Sequence, residues 1–288
     1  ARAVADAGLR STIGGPLFDA DGKTEAMKER AVGYLGELEC FSQGEIDAAF
    51  APHSIYTVSV GLLRWTAEQA AERGLPVHIH LSETKGEVED CISEHGVRPA
   101  AYLDRLGLLG ERTILAHGVW LDQGELALVA ERGCTVVTNP VANMKLAVGG
   151  VFPYPAARDA GVSLGLGTDG AGSNDSLDLF SDLKLFALAQ RHAAEDPTVL
   201  PAEEAWRIAC GGARLEVGGP ADFLLLRPSS FELSLGELHA DLVYAASGSV
   251  VDTTVVGGRV LMRGGEVPGS EEVVARAVER SRRLGIGT

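Results

Sequence analysis

The chain has 288 residues, of which 45% are hydrophobic and 23% charged, and this composition is typical of a folded globular protein. Its formal net charge of −15 argues against a nucleic-acid partner, because that affinity rests on Lys and Arg side chains that neutralise phosphates. No apolar run approaches the length of a membrane span, so no membrane partner is expected.

Strand-like apolar runs alternate with helix-like stretches through the first three-quarters of the chain. The predicted strands are Ser11–Phe18, Ile46–Ala51, Val77–Ser82, Thr113–Val119, Thr135–Asn139 and Val162–Gly167, and the predicted helices are Gly61–Arg73, Lys85–His95, Asp122–Arg132 and Leu177–His192. This alternation predicts an α/β fold with a parallel sheet and helical crossovers. Six strands suit an open doubly wound sheet as well as part of a (β/α)₈ barrel, and the pattern leaves both open.

The character of the chain changes after Gly211, where short β-rich runs replace the alternation. Ala221–Leu226 and Val250–Met262 are two such runs, and Gly257-Gly258 interrupts the second in the manner of a hairpin turn. Glu271–Arg283 is predicted to form a terminal amphipathic helix. These segments predict a small β appendage followed by a helix.

The four cysteines, which are Cys40, Cys91, Cys134 and Cys210, are widely spaced and include no Cys-x-x-Cys pair. Neither a disulfide framework nor a thiolate zinc site is therefore indicated. Free thiols are typical of a reducing compartment, and we expect the protein to be cytoplasmic.

Metal-ligand and proton-transfer side chains follow the third predicted strand. Strand alternation places His78 and His80 on the same side, and Glu83 comes three residues after His80, where strand becomes loop. A neutral imidazole is a good ligand for zinc or iron, and a neighbouring carboxylate can move protons. The segment is also compatible with a core histidine and an exposed Glu that heads the next helix.

Two further strand ends carry similar chemistry. His117 ends the run Thr113–Ala116, although a single His in this position can be purely structural. Asp169 follows an apolar strand between glycines, where a carboxylate is costly to bury unless it meets a cation. Asp169 could instead cap the following helix, a role for which Asp175 and Asp178 compete.

Several ordered segments together resemble the amidohydrolase superfamily, in particular the branch that holds the chlorohydrolases and the S-adenosylhomocysteine/methylthioadenosine deaminases. The segments are Ala51-Pro52-His53-Ser54-Ile55-Tyr56-Thr57-Val58-Ser59, His78-Ile79-His80-Leu81-Ser82-Glu83-Thr84, Leu115-Ala116-His117-Gly118, Thr138-Asn139-Pro140-Val141-Ala142-Asn143-Met144-Lys145-Leu146 and Leu166-Gly167-Thr168-Asp169-Gly170-Ala171-Gly172-Ser173-Asn174. Pro220–Phe223 and Leu242–Ala246 are similar to C-terminal β-sandwich segments of that family.

The resemblance implies a (β/α)₈ TIM-type barrel, with six of its eight units present, and a small β-sandwich appendage. It divides the chain into a hydrolase barrel over 1–212, the C-terminal part of a β-sandwich over 213–267 and a terminal helix over 268–288. The fold expectation thus comes from the resemblance, since the strand pattern alone does not distinguish the two sheet types.

The resemblance also implies the site residues. His80, His117 and Asp169 correspond to metal ligands for Zn²⁺, with Fe²⁺ as the alternative, and Asp169 also acts as a base toward the metal-bound water. Glu83 corresponds to the proton shuttle and His53 to a residue that faces the substrate, so the catalytic set is Glu83, His117 and Asp169.

Within this set, His53 and Glu83 would contact the substrate. Asn143 is expected to shape the loop at its strand end, and His78 to lie behind the ligands or to pack.

The implied reaction is hydrolytic deamination of an amino-substituted purine or related heterocycle, of the adenosine or S-adenosylhomocysteine type, by metal-bound hydroxide. Triazine-type chlorohydrolase and guanine-type deaminase activities are the alternatives within the enzyme class. An inactive fragment or pseudoenzyme with a binding role is the alternative of another class. The small-molecule heterocyclic substrate would be the main partner, and whether the chain forms a homo-oligomer stays open.

One family feature is not found in this sequence. The family's first strand carries His-x-His, which supplies two further metal ligands, whereas the chain contains no such pair besides His78-Ile79-His80. The first two barrel strands are also unaccounted for. We therefore expect an additional N-terminal segment from the same polypeptide, which would lie before Ala1 and supply both.

Overall fold

The computed structural model describes residues 1–41, 46–233 and 236–286. Its main feature is a six-stranded parallel sheet whose strands lie side by side in chain order. The strands are β1 (Ser11–Leu17), β2 (Ile46–Pro52), β3 (Val77–Leu81), β4 (Thr113–His117), β5 (Thr135–Thr138) and β6 (Ser163–Leu166). All six strands predicted from the sequence are therefore present.

The strand order decides between the two sheet types that the sequence pattern left open. A doubly wound sheet reverses its strand order at a switch point, whereas here each strand pairs with the one that precedes it in the chain. Sequential parallel order is the arrangement of a (β/α) barrel. Within the described ranges, β1 and β6 form the two edges of the sheet, which does not close on itself.

Helices connect the strands and continue beyond the sheet. They are α1 (Arg2–Ala7), α2 (Thr24–Glu39), α3 (Val60–Arg73), α4 (Lys85–His95), α5 (Pro99–Arg105), α6 (Gln123–Glu131), α7 (Pro140–Lys145), α8 (Tyr154–Asp159), α9 (Ala171–Asn174), α10 (Leu179–Ala194), α11 (Ala202–Ala209), α12 (Leu238–Tyr244) and α13 (Ser270–Arg283). In the described part of the chain, no helix is both long and apolar enough to span a membrane.

Local capping explains where the crossover helices begin and end. The side chain of Thr84 accepts a hydrogen bond from the Glu87 amide at the start of α4, which ends at the left-handed Gly96. Asp122 and Glu125 form a reciprocal capping box at the start of α6. The short crossovers thus return the chain to the amino-terminal edge of the sheet before each new strand.

The core lies between the sheet and the crossover helices. Ile79 and Leu81 on β3 are buried beside Leu115 on β4, and Leu62 and Leu63 of α3 are fully buried. His78 and His80 alternate with these apolar residues and point to the other face of the sheet, as the strand period requires. Burial of one face fixes which side chains of β3 are available for chemistry.

The C-terminal region contains a separate antiparallel sheet, formed by β7 (Phe223–Leu226), β8 (Val251–Val256) and β9 (Arg259–Met262). Gly257 and Gly258 both adopt positive φ at the turn between β8 and β9, which confirms the predicted hairpin. The division of the chain at 212/213 and 267/268 stays a prediction, and residues 287–288 of the predicted terminal segment lie outside the described residues.

A buried carboxylate ties the loop after β1 to the start of α3. Asp19 is 3% exposed and accepts hydrogen bonds from the Ser59 amide at 2.7 Å, from the Ser59 hydroxyl at 2.6 Å and from the Thr24 hydroxyl. Burial by itself would raise the pKa of Asp19, but these hydrogen bonds outweigh it and hold the pKa below its ordinary value of 3.8. The ionised form therefore stabilises the loop.

We expect Asp19→Asn to lower the free energy of unfolding at pH 7 by about 1–3 kcal/mol, because an amide cannot accept all three hydrogen bonds. Since the pKa is lowered on folding, the stabilisation is present above pH 3.8 and is lost as the pH falls through the folded-state pKa. Urea unfolding should show that the free energies of unfolding of wild type and Asp19→Asn differ less near pH 3 than at pH 7. Asp47→Asn, at an exposed carboxylate on β2, is the matched control. If the free energies of unfolding differed equally at both pH values, the stabilising role of the ionised Asp19 carboxylate would be contradicted.

Candidate active site

Two imidazoles lie side by side at the carboxyl ends of neighbouring strands. His80 belongs to β3 and His117 ends β4, and the parallel pairing sets Leu81 opposite His117. The two rings are nearly parallel, with centroids 5.1 Å apart. The structure therefore brings together two of the three metal ligands predicted from the sequence.

Hydrogen bonds fix which nitrogen of each ring is available. His80 Nδ1 lies 2.6 Å from the carbonyl oxygen of His53, which can only accept, so this nitrogen carries the proton. His117 Nδ1 lies 2.7 Å from Asn143 Oδ1 and donates to it in the same way. In both rings the Nε2 lone pair is left free, which is the tautomer that metal-binding histidines use.

The protonation state of His117 also suits a metal ligand. Burial is the largest influence on its pKa, and together with the neighbouring His80 it outweighs the opposing effects of Glu83, Asn143 and Asp169. The pKa of His117 is accordingly lowered from its ordinary value, so the ring is neutral near pH 7. A neutral imidazole is the form that binds a metal ion.

Glu83 lies next to this imidazole pair. Its Oε2 is 3.9 Å from Nε2 of His117, and its side chain is 16% exposed. The turn that carries it is held by Glu87, a buried carboxylate on α4 that accepts hydrogen bonds from the amides of Ser82 and Glu83, each at 2.8 Å. Glu83 is thus placed within reach of both the ligands and the open face of the sheet.

Asp169 stands in the loop after β6, close to the end of the strand. It is partly buried, and its Oδ1 accepts a hydrogen bond from the Gly170 amide at 2.6 Å. The alternative role of helix cap belongs to Asp178, which accepts from the Phe180 amide at the start of α10. Asp169 therefore does not cap that helix, and its negative charge is one of the smaller influences that oppose the lowering of the pKa of His117.

Three non-glycine residues at or just beyond these strand ends adopt left-handed backbone conformations. The φ angles are 48° at Ser82, 74° at His117 and 61° at Asp169. Non-glycine residues pay a steric cost for this conformation, and such residues cluster at functional sites. The conformation also ends β3 and β4 earlier than the predicted Val77–Ser82 and Thr113–Val119, because a left-handed residue cannot continue a strand.

The described side chains form an incomplete ligand set. Within residues 1–41, 46–233 and 236–286, no group of three His, Cys, Asp or Glu side chains converges tightly enough to hold a metal ion. The donor chemistry nevertheless fits zinc or ferrous iron, since His80 and His117 both offer a free Nε2. The ligand set His80, His117 and Asp169 stays a prediction.

His53 joins the imidazole pair to a surface cavity. Its ring centroid is 4.8 Å from that of His80, and its Nδ1 lies 2.8 Å from the Thr57 hydroxyl and 3.1 Å from the Ser54 hydroxyl. The cavity has a volume of about 700 Å³ and is lined by His53, Thr57, Phe18, Ala20, Asp21, Lys23, Ala26, Met27 and Arg30. His53 therefore lines this cavity and also lies next to the ring of His80.

Asn143 has a different role from the one expected. It lies on α7 and not in a loop, it is 5% exposed, and its side chain orients His117. Glu87 was not singled out from the sequence, although the pattern Thr84-x-x-Glu87 is a capping-box signature that could have marked it. His78 is exposed on the open face of the sheet, with its ring centroid 6.4 Å from that of His80.

Comparison with known proteins assigns the chain to a family. The amidohydrolase family profile matches residues 1–261, so the chain belongs to the amidohydrolase family. The chain is 44% identical to a 5′-deoxyadenosine deaminase of Methanoregula boonei, with 99% of this chain and 67% of that protein aligned. It is 37% identical to a 5-methylthioadenosine/S-adenosylhomocysteine deaminase of Archaeoglobus fulgidus, with 99% of this chain and 70% of that protein aligned.

Solved structures show the same similarity in three dimensions. A zinc-bound adenosine deaminase from Xanthomonas campestris superposes with a TM-score of 0.90 at 33% identity, covering 99% of this chain and 68% of that one. A zinc complex of atrazine chlorohydrolase from Arthrobacter aurescens superposes with a TM-score of 0.84 at 25% identity, covering 96% of this chain and 67% of that one. The chain thus spans about two thirds of the length of the relatives it matches.

We expect Asn143→Ala to lower zinc affinity by about 10–100-fold, because His117 loses the acceptor that fixes its tautomer and ring orientation. Zinc affinity can be measured by competition with a coloured chelator. Met144→Ala, at the adjacent and 45% exposed position of α7, is the matched control and should bind zinc like the wild type. Equal affinities for the two variants would show that Asn143 does not orient a ligand.

Proposed function

We propose that this chain is the catalytic part of a metal-dependent aminohydrolase that deaminates an adenosine-type nucleoside. The observation that carries the proposal is the imidazole pair His80 and His117, each with Nε2 left free, beside the carboxylate of Glu83. Its similarity to proteins named 5′-deoxyadenosine and 5-methylthioadenosine/S-adenosylhomocysteine deaminase supports this substrate class.

The proposed cofactor is zinc, held by His80, His117 and Asp169. Zinc is supported by the zinc-bound adenosine deaminase that this chain resembles, and ferrous iron suits the same donors. A bound divalent metal ion lowers the pKa of a coordinated water molecule and so supplies a nucleophile near neutral pH.

The proposed proton transfers follow from the positions of the two carboxylates. Asp169 accepts a proton from the attacking water, while Glu83 delivers a proton to the ring nitrogen adjacent to the reacting carbon. Protonation of that nitrogen prevents negative charge from building up on the heterocycle as the oxygen adds. As the C–N bond breaks, Glu83 takes up the proton of the new hydroxyl group and passes it to the departing amine, so the products are ammonia and the ring carbonyl. The proton held by Asp169 then returns to Glu83 and restores the starting state.

His53 is proposed to contact the substrate. Its Nδ1 is occupied by the hydroxyls of Thr57 and Ser54, so Nε2 is the nitrogen left to face a ligand. Burial, followed by the neighbouring His80, lowers the pKa of His53, which favours a neutral ring at pH 7. The cavity beside His53 provides room for the part of the substrate that does not react.

The second candidate is hydrolytic dehalogenation or deamination of a triazine. The similarity to atrazine chlorohydrolase supports it, but the identity of 25% is well below the 44% to a deaminase. Both reactions add water to an electrophilic ring carbon and differ in the leaving group, so one set of proton-transfer residues could serve either. Guanine-type deamination and a binding role without catalysis remain to be tested alongside.

The proposed function predicts ammonia release from a panel of adenosine, 5′-deoxyadenosine, 5′-methylthioadenosine and S-adenosylhomocysteine by the zinc-loaded protein. Glu83→Gln should lower kcat by about 10²–10⁴-fold, since the amide cannot transfer a proton. Removal of the metal with a chelator should abolish the activity, and added zinc should restore it.

Glu89→Gln, at an exposed carboxylate on α4, is the matched control for Glu83→Gln. Guanine, melamine and atrazine complete the panel. Turnover of these compounds without turnover of any adenosine derivative would contradict adenosine-type deamination. Turnover of melamine or atrazine would favour triazine hydrolysis, and turnover of guanine would favour guanine-type deamination. Zinc binding without any turnover would favour a binding protein.

We also propose that a further segment of the same polypeptide completes the sheet and supplies two histidine ligands. The edge strands β1 and β6 of the described chain leave backbone groups unpaired, and such edges are normally covered or closed. The span of about two thirds of the relatives' length supports the same proposal.

All four cysteines are free, which supports a reducing compartment such as the cytoplasm.

The expected result is an intact mass above 30.2 kDa for the protein purified from its natural source, because the proposed segment adds to the 288 residues. Mass spectrometry measures it directly, and peptide mapping would locate a His-x-His sequence in the added segment. An intact mass of 30.2 kDa would contradict the proposal.

A further inference from the structure

Asp182 on α10 is a fully buried carboxylate that the proposed reaction does not use. Its two oxygens accept hydrogen bonds from two different segments of the chain. Oδ1 accepts from the Val141 amide at 3.0 Å, and Oδ2 accepts from the Asn174 side-chain amide at 2.9 Å. A buried charge is costly unless its hydrogen-bond partners are well placed, so Asp182 depends on both of these bonds.

The hydrogen bond from Asn174 connects Asp182 to the backbone next to Asp169. The same Nδ2 of Asn174 also donates to the carbonyl oxygen of Thr168 at 2.7 Å, and Thr168 directly precedes Asp169. Oδ1 of Asn174 accepts from the Ser176 amide at 3.2 Å, so both ends of the Asn174 amide are satisfied in this orientation. Asp182 therefore fixes Asn174, which in turn holds the backbone that carries Asp169.

The hydrogen bond from the Val141 amide connects Asp182 to His117 through α7. Asn139 stands at the N-cap position of α7 but makes no capping hydrogen bond with its side chain, which lies instead between Gly167 and His117. The carboxylate of Asp182 supplies the missing acceptor at Val141, in the first turn of that helix. Helix α7 carries Asn143, whose Oδ1 accepts the hydrogen bond from His117 Nδ1.

We propose that Asp182 is a positioning residue that couples the placement of Asp169 to the placement of His117, through one carboxylate oxygen for each. The proposal rests on the proposed function, because the ligand roles of Asp169 and His117 belong to it.

The coupling requires a carboxylate at this position. Both partners of Asp182 are donors, and an ionised carboxylate accepts from both. In Asp182→Asn one oxygen becomes an NH₂ group, which would face either the Val141 amide or the Asn174 amide donor to donor. One of the two hydrogen bonds is therefore lost, although the shape of the side chain is kept.

The test compares Asp182→Asn with Asp178→Asn in the protein purified with its complete natural chain. Asp178 is the N-cap residue of the same helix, where it accepts from the Phe180 amide and also from the Gly248 amide. An Asn at an N-cap is well tolerated. We expect Asp182→Asn to lower zinc affinity about tenfold or more in chelator competition, and Asp178→Asn to stay within about twofold of wild type. Equal zinc affinities for the two variants would overturn the proposal.

A second variant covers the case in which Asp182→Asn does not fold. Asn174→Ala removes the hydrogen bonds of Asn174 to Thr168, Asp182 and Ser176 but leaves the bond between Asp182 and the Val141 amide in place, and it should also lower zinc affinity. Unchanged affinity in a folded Asn174→Ala protein would overturn the proposal. A wild-type protein that binds zinc but releases no ammonia contradicts the proposed function and leaves the variant comparison intact. A wild-type protein that binds no zinc overturns the coupling as well.

Discussion

The parallel pairing of β3 with β4 is the constraint on which the site depends. It sets Leu81 opposite His117, so that His80 and His117 meet at the carboxyl edge of the sheet with ring centroids 5.1 Å apart. Burial of Ile79 and Leu81 specifies this register, because a shift of one residue would turn these apolar side chains to the open face and His80 into the core. The same hydrophobic face that stabilises the sheet therefore also determines where the two imidazoles point.

Buried carboxylates hold the turns that follow the strands. Glu87 binds the amides of Ser82 and Glu83, and Asp182 binds the start of α7 and, through Asn174, the loop of Asp169. In each case the acceptor comes from a helix, Glu87 from α4 and Asp182 from α10. Strained left-handed residues persist at these positions because the surrounding hydrogen bonds determine the backbone path. The backbone that carries the predicted site residues Glu83 and Asp169 is thus held by buried acidic groups on neighbouring helices.

Orientation of the histidines connects this scaffold to the amidohydrolase family. A backbone carbonyl fixes His80 and a side-chain amide fixes His117, and both arrangements leave Nε2 free. The family profile, the deaminase relatives and the zinc-bound structural neighbours all accord with a site of this type. An adenosine deaminase and an atrazine chlorohydrolase both share this scaffold.

The sequence by itself determined the strands, several of the helix limits and the residue types at the strand ends. Lys85–His95 was predicted with the limits that α4 has, because a Thr cap and a terminal glycine mark it locally. Periodicity also predicted that His78 and His80 share one face of β3. The choice between a doubly wound sheet and a barrel required the strand order, since strand adjacency is not encoded in any local pattern.

Only the tertiary structure decided the supporting roles of Asn143, Glu87, Asn174 and Asp182. Asn143 was expected to shape a loop, yet it orients His117 from a helix 26 residues further along the chain. Asp182 lies 41 residues from Val141 and reaches it because α10 packs against α7. The types of the predicted site residues follow strand signals that can be read locally. Their hydrogen-bond partners are selected by packing between distant segments, and packing is a property of the folded chain.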